Sequence, residues 1–488
     1  MKRRAKELIE KYKNANIIFK ATLWYTICSI LQKGISLITM PIFTRLMTAE
    51  QFGQYSVFLT WYNIINIIVT LNIQSEIFNK GLIDHSDEME KYSANQVGLV
   101  ISLSGLWMIV YLVFSKFLNP VLGVTIGVML AMIVQMLSEA IVSIWSAQQR
   151  FRYKYKVIVA QTLFVAILTP VIGVIMVLNT SEKAQAKIFS NAIGVLTVAL
   201  FIFVEYVRKN NVFDHFAWWK KAILAAIPLV PHYLSLVVLN QSDKLMIDYY
   251  VGKEETAFYS VAHTVGLLMT IVNGSINGAF VPWAYEKMKI NGGVGIRKLS
   301  NKLLGIVVWV NLCLIWCGPE VIKIVAAPQY REAVWCLIPI AISVFFYFAY
   351  TLFVDVEIYY GQNKYVAIAS LCAAILNVVL NFIFIPIFGY IAAAYTTLFG
   401  YFFTMILHYI FYKITMKQND NLNKIYSMKA ICFFSLILIV LSILAGCLYK
   451  FVIVRYTIII ILFSIIVFNY KRIINIVWKI KKGIREDE

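Results

Sequence analysis

Charged and amide side chains set inside long apolar runs are the residues from which any chemistry in this sequence has to start. Lys33 sits in the middle of the run 19–44, beside Gln32 and Gly34 and far from both ends. A charge at the centre of a lipid-embedded helix costs roughly 2.5–3.5 kcal/mol on insertion scales, so it must face protein or an aqueous path. Two readings stand side by side: a cation lining a central cavity, or a structural partner for Glu139 or another acid. The run 53–73 carries Asn63, Asn66 and Thr70 at helical spacing, and the run 120–147 carries Gln135, Ser138, Glu139 and Ser143 on one face. The run 257–282 carries His263, Thr270, Asn273 and Asn277, with Gly274 and Gly278 beside the last two. Such stripes either line water or join helices through interhelical hydrogen bonds and small-residue contacts. Asp243 and Lys244 close the run 222–244, where lipid would reject them unless they face protein or water.

The elements that must position these residues follow from composition. The chain has 488 residues, of which 60% are hydrophobic and 14% charged, and its mean hydropathy is +0.75. That is far outside the composition of soluble domains. A hydrocarbon core about 30 Å thick takes about 20 apolar residues per helix. Runs of that length recur from end to end, fourteen by hydropathy, which predicts an all-α integral membrane protein with about 14 transmembrane helices. The net charge of +19 lies between the runs, as the positive-inside rule requires, so nucleic acid is not an expected partner. The seven cysteines lie in or beside apolar runs and read as packing residues, with neither a disulfide framework nor a metal site. The basic start leads into a run containing Gln32 and Lys33 without a small-residue cleavage site, which reads as a retained first helix.

With the N-terminus placed in the cytoplasm, 33 of the 44 Lys and Arg residues fall on cytoplasmic segments and 10 on the opposite side, Lys33 being the remainder. An even number of spans with both termini cytoplasmic fits this bias. The chain also echoes itself. RLMTAEQFGQYSV, Arg45 to Val57, is similar to KLMIDYYVGKEETAFYSV, Lys244 to Val261, and SAQQRFRYKYKVIVAQ after span 4 is similar in character to YYGQNKYVAIAS after span 10. Six spans separate the copies, so the halves share one orientation, the pattern of parallel repeats. The expected organisation is two six-helix lobes, 1–215 and 216–420, then 421–488 with two further helices and a basic tail. The link is 208–221, with Trp218 and Trp219 as interfacial anchors. Glu205 and His408 lie close enough to cytoplasmic ends to be solvated. Asp355 and Glu357 imitate the acid pair that holds a metal in membrane glycosyltransferases, but they end span 10 and no long loop accompanies them. Asp84 to Glu88 reads as a solvated acidic loop. Arg150, Arg152, Lys154 and Arg297 on cytoplasmic loops attract anionic lipid, or make the first encounter with an anionic head group.

Pro228, Asp243-Lys244, Gly252 and Tyr259-Ser260-Val261, followed by Asn377, Asn381, Ile385-Pro386, Gly389 and Ala392 to Ala394, are the motifs of a known family in order and spacing. On them the chain resembles the polysaccharide biosynthesis flippases (O-antigen and capsule repeat-unit translocases) of the multidrug/oligosaccharidyl-lipid/polysaccharide exporter superfamily. The resemblance covers most of the chain. It implies translocation of an undecaprenyl-diphosphate-linked oligosaccharide across the bacterial cytoplasmic membrane by alternating access, with no cofactor, no enzymatic activity, and a coupling ion, H+ or Na+, as the drive. The implied partners are lipid-linked oligosaccharide, membrane lipid, a polysaccharide polymerase and chain-length proteins. Lys33 would then meet the pyrophosphate, with Asn63, Asn66, Glu139, His263, Asn273 and Asn277 lining the cavity. Asp243 and Lys244 would form a structural ion pair, Arg45 its counterpart in the first half, and Asn377 and Asn381 would join helices. The alternatives are a lipid II or drug/cation exporter of the same superfamily, or a membrane glycosyltransferase or polymerase.

Overall fold

The computed structural model describes residues 17–291, 293–419 and 425–464. Among these there are helices and no strands, as a bilayer demands of a chain that must satisfy its backbone internally. The chain folds as two compact units that divide between Val237 and Val238.

The first unit holds α1 (Ile17–Leu46), α2 (Ala49–Thr70), α3 (Glu76–Asp84), α4 (Met89–Leu122), α5 (Ile126–Phe151), α6 (Tyr155–Leu178), α7 (Lys183–Lys209) and α8 (Phe216–Ala226). After a 3-10 turn at Ile227–Leu229 that contains Pro228, α9 (Val230–Tyr250) begins in the first unit and ends in the second. The second unit continues with α10 (Lys253–Gly266), α11 (Leu268–Asn291), α12 (Ile296–Trp316), α13 (Gly318–Val325), α14 (Val334–Tyr359), α15 (Asn363–Phe388), α16 (Tyr390–Gln418) and α17 (Met428–Leu448). The last described helix is α18 (Val452–Ser464).

Eleven helices among the described residues are long and apolar enough to cross a membrane, fewer than the fourteen runs counted by hydropathy. The 22-residue α2 is not among the eleven; Gln51, Gln54, Asn63 and Asn66 lower its hydropathy. The chain is a multi-pass membrane protein, and its outer faces agree: Val113 and Phe117 on α4 and Ile387 and Phe388 on α15 are exposed, as lipid-facing side chains should be.

Close approach of helices explains the cores. In the first unit α5 packs on α7 and α4, and α7 on α6. A Cβ at Gly194 on α7 would come within 2.4 Å of Thr169 Oγ1 on α6, so the contact requires glycine there. In the second unit α14 runs through the middle with Phe345, Phe348, Leu352 and Phe353 fully buried, packed on α16, α10 and α12.

Both sequence echoes have a structural counterpart. The first echo is a turn between two helices in each copy. Thr48 closes it in the first unit with a capping box to Gln51, and Gly252, at φ 144°, closes it in the second. The second echo is stricter. Arg152 N, Tyr153 N and Lys154 N donate to Gln148 O, Arg150 O and Gln149 O; Tyr360 N, Gly361 N and Gln362 N donate to Val356 O, Ile358 O and Glu357 O. Both middle residues are left-handed, Tyr153 at φ 55° and Gly361 at φ 71°.

Trp218 and Trp219 hold the segment after α7 to its own unit. The Trp219 indole N–H donates to Asn95 O at 2.8 Å, and Trp218 lies 4.8 Å from the His85 ring and 4.1 Å from the His215 ring. Asn95 also donates to Asp214 Oδ1 at 2.7 Å. That bond holds the Asp214 carboxyl below the usual carboxylate range.

Candidate functional site

The densest polar cluster of the second unit forms around one carboxylate. Asp243 on α9 is buried, and three helices bring it donors. Tyr259 of α10 donates its hydroxyl to Oδ2 at 2.5 Å, and Thr397 of α16 donates to the same oxygen at 2.7 Å. Asn381 of α15 donates its amide to Oδ1 at 2.5 Å and shares it with Asn377 Oδ1 at 3.2 Å. The Thr396 hydroxyl donates to Asn381 Oδ1. The local sequence makes this geometry. Asn377 and Asn381 stand four residues apart on one face of α15. Gly389, at φ 71°, turns the chain back, and the buried Ala392, Ala393 and Ala394 let α16 approach α15 closely enough to present Thr396 and Thr397.

The ion pair expected between Asp243 and Lys244 is not what holds this site. Among the described residues no ion pair within 4.0 Å joins them, and the buried Lys244 donates to Gln241 Oε1 at 3.1 Å. Neighbours one apart on a helix point about 100° apart, so adjacency in sequence works against pairing. Asp243 is satisfied by neutral donors instead. A single carboxylate among hydroxyl and amide oxygens has the charge and hard-oxygen chemistry for a proton or a monovalent cation, and too little charge for a divalent one. No cluster of three or more His, Cys, Asp or Glu with metal-holding geometry occurs among the described residues.

The cavity candidates divide between the units. In the first, Glu139 on α5 is exposed at mid-helix and accepts from Tyr62 of α2 at 2.7 Å and from Gln135 at 2.9 Å. Asn63 donates to Leu59 O within α2, and the Asn66 side chain is partly buried. A second polar link joins α7 to α2: Lys187 donates to Asn191 at 3.0 Å, and Asn191 to the Tyr55 hydroxyl at 2.8 Å. Lys33 falls within α1, and its side chain lies outside the described residues.

In the second unit Asn273 is fully buried and donates to Val344 O at 3.1 Å, while Asn277 donates to Thr351 at 3.2 Å. Both amides therefore join α11 to α14. His263 is buried against the Tyr259 ring, with centroids 5.8 Å apart.

One pair was missed in the sequence. His408 and Glu357, 1% and 0% exposed, meet with Nδ1 3.0 Å from both carboxylate oxygens. This corrects the expectation that His408 is solvated at a helix end: α14 and α16 cover it, and Tyr350 stacks on its ring at 5.3 Å. A signal was available, since Thr397, Tyr401, Thr404 and His408 form one stripe along α16 at helical spacing. The stripe joins α9 a second time, Tyr401 donating to Asn240 at 2.8 Å.

Comparison with known proteins gives a consistent result. A family model described as polysaccharide biosynthesis protein matches residues 18–288. The capsular polysaccharide biosynthesis protein CapF of Staphylococcus aureus is 21% identical over 412 residues, 82% of this chain and 99% of its own. Among solved structures, a lipid II flippase MurJ in an inward closed conformation superposes with a TM-score of 0.63 at 14% identity, covering 93% of this chain and 100% of that one. An inward-facing multidrug resistance transporter of the MATE family and MOP superfamily superposes with a TM-score of 0.64 at 12% identity, covering 83% of this chain and 99% of its own. At such identities the structures share a fold.

Proposed function

The chain belongs to the polysaccharide biosynthesis protein family, and we propose that it is a flippase for undecaprenyl-diphosphate-linked oligosaccharide repeat units. It moves them from the cytoplasmic to the outer leaflet of the bacterial cytoplasmic membrane, for O-antigen, capsule or exopolysaccharide synthesis. The observation that carries this reading is the family match over more than half of a chain that folds, along 93% of its length, like a lipid flippase. Alternating access accounts for the movement, and both termini are cytoplasmic on the charge bias. The Asp243 cluster is the seat of the coupling ion, H+ or Na+, because it sets one negative charge among oxygens that can turn lone pairs as well as hydrogens toward it. We read the chain as a transporter rather than an enzyme. Glu357, half of the acid pair that imitates a metal site, is engaged by His408 in a buried contact.

The test is to inactivate the gene and label lipid-linked saccharides from each side of the membrane. Repeat units accumulate in the cytoplasmic leaflet, and the wild-type gene restores surface polysaccharide. Repeat units reaching the outer leaflet at the normal rate in the inactivated strain would overturn the reading. Normal polysaccharide together with drug sensitivity would point to an exporter of the same fold.

A further inference from the structure

One end of the first unit holds a cavity that the Asp243 cluster and the transport path leave unexplained. It has a volume of about 200 Å³ and is formed where α4 and α6 begin and α5 and α7 end. Three cations line it, Arg152, Lys154 and Lys209, with two carboxylates, Glu90 and Glu205, for a formal charge of +1. The carboxylates hold two of the cations in place: Arg152 Nη1 meets Glu90 Oε1 at 2.7 Å, and Lys209 Nζ meets Glu205 Oε1 at 2.7 Å. A guanidinium has five N–H donors, so Arg152 keeps others for a ligand. Lys154 follows the left-handed Tyr153, and it lines the cavity without a described carboxylate within ion-pair distance.

The amides of the wall add donors. Asn210 Nδ2 is buried and lacks a partner, which an ordered acceptor would satisfy. Tyr206 donates to Gln148 Oε1 at 2.6 Å, fixing that amide with its NH2 as the free end. Depth in the bilayer follows from helix length. α5 and α7 have 26 and 27 residues, about 40 Å at 1.5 Å per residue. They exceed a hydrocarbon core of about 30 Å, so residues in their last turn stand at the level of lipid head groups.

We infer that this cavity binds the head group of a phosphate-bearing lipid with hydroxyls next to the phosphate. The Arg152 guanidinium and the Lys154 ammonium take the phosphate oxygens, the amide N–H groups complete the acceptor shell, and the two carboxylates accept from the hydroxyls. A net charge of +1 suits one phosphodiester. The volume is below the usual 300–1,000 Å³ of whole-ligand sites, so a head group fits and the rest of the molecule stays in the bilayer. Two sources offer this chemistry: the bilayer's own phosphatidylglycerol, and the phosphate-linked sugar of a polyprenyl carrier. The site stands whether or not the transport reading holds.

The experiment is native mass spectrometry of the purified full-length protein with phosphatidylglycerol, phosphatidylcholine and undecaprenyl phosphoglucose, a polyprenyl phosphodiester of a sugar, each alone and in competition. Wild type should retain phosphatidylglycerol or undecaprenyl phosphoglucose at least tenfold over phosphatidylcholine. Lys154→Gln and Asn210→Ala should each lower that preference severalfold, and Lys116→Gln, at the far end of α4, should leave it unchanged. Displacement of phosphatidylglycerol by undecaprenyl phosphoglucose assigns the site to the carrier, and failure to displace it assigns the site to the bilayer lipid. Equal retention of phosphatidylcholine overturns the inference. So does an unchanged preference in both cavity variants, provided their thermal unfolding matches wild type.

Discussion

Deleting the Asp243 carboxylate should damage the second unit more than any conservative change at the same position, and by a calculable margin. Asp243→Ala leaves the Tyr259 hydroxyl, the Thr397 hydroxyl and the Asn381 amide as buried donors facing a gap. An unsatisfied buried donor costs about 1–3 kcal/mol. The three share one gap that a water molecule can enter, so the losses overlap and the total should be about 3–5 kcal/mol. Asp243→Asn keeps an oxygen for the two hydroxyls and turns an NH2 toward the Asn381 amide, which sets one donor against another and costs about 1–3 kcal/mol. The gap between the variants, about 2 kcal/mol, is roughly thirtyfold in the unfolding constant. Unfolding of the full chain in mixed micelles of dodecyl maltoside and sodium dodecyl sulfate, followed by tryptophan fluorescence, measures both. Adding Tyr259→Phe to the alanine variant should recover part of the loss, because one orphan donor disappears with it. Equal stability of the alanine and asparagine variants, or an alanine variant within 1 kcal/mol of wild type, would refute the view that neutral donors hold this carboxylate.

The remaining expectations concern other parts of the chain. Lys33→Ala should abolish surface polysaccharide while the protein stays in the membrane, and Lys33→Arg should restore it; normal polysaccharide in the alanine strain removes Lys33 from the transport path. His408→Ala leaves Glu357 buried without its partner and should cost about 3–5 kcal/mol, whereas Glu357→Gln with His408→Gln should unfold nearer to wild type; a benign single variant means that water reaches Glu357. Asn273→Ala should lower stability by about 0.6–1.7 kcal/mol, the scale of interhelical bonds in membranes, and leave transport intact; lost transport with normal stability would return Asn273 to the cavity. Asp214 has a folded pKa below its unfolded value because Asn95 donates to it. Its contribution is therefore complete above the unfolded value near 3.9 and is lost as pH falls through the folded value. Melting curves of wild type should fall more steeply below about pH 4 than those of Asp214→Asn, and parallel curves would count against the bond.

Hydropathy located most of the long helices because a bilayer imposes one rule on every span. It did not resolve two breaks: the run 222–244 is divided between α8 and α9 at Ile227–Leu229, and the run 257–282 between α10 and α11 at Leu267. Partners were harder to read. Asp243 finds its donors 16, 138 and 154 residues away, and helical periodicity says which face a residue occupies without naming the helix opposite. Asn381 was therefore legible as a residue that joins helices, and its object, a carboxylate on α9, was not; Asn377 bonds to Asn381 on its own helix. The same limit produced the error at His408. Its nearness to the helix end suggested water, whereas Tyr350 on α14 stacks on its ring and Glu357 meets its Nδ1 in a buried contact.

The two similar turns show where such reading can be extended. The turns at 152–154 and 360–362 make three equivalent backbone hydrogen bonds, which aligns Tyr153 with Gly361 and Gln149 with Glu357. A left-handed residue other than glycine costs roughly 1–2 kcal/mol, so tyrosine against glycine in sequence argues for two different turns, and the backbone shows one. The geometry that ends α5 and α14 is the same, and the side chain it presents differs. Gln149 faces a cavity with three cations, and Glu357 is sealed against an imidazole. The two turns thus carry different chemistry on one backbone geometry. Transferring a role from one half to the other by alignment, as the paired reading of Arg45 and Lys244 did, requires the contacts of each residue to be established first.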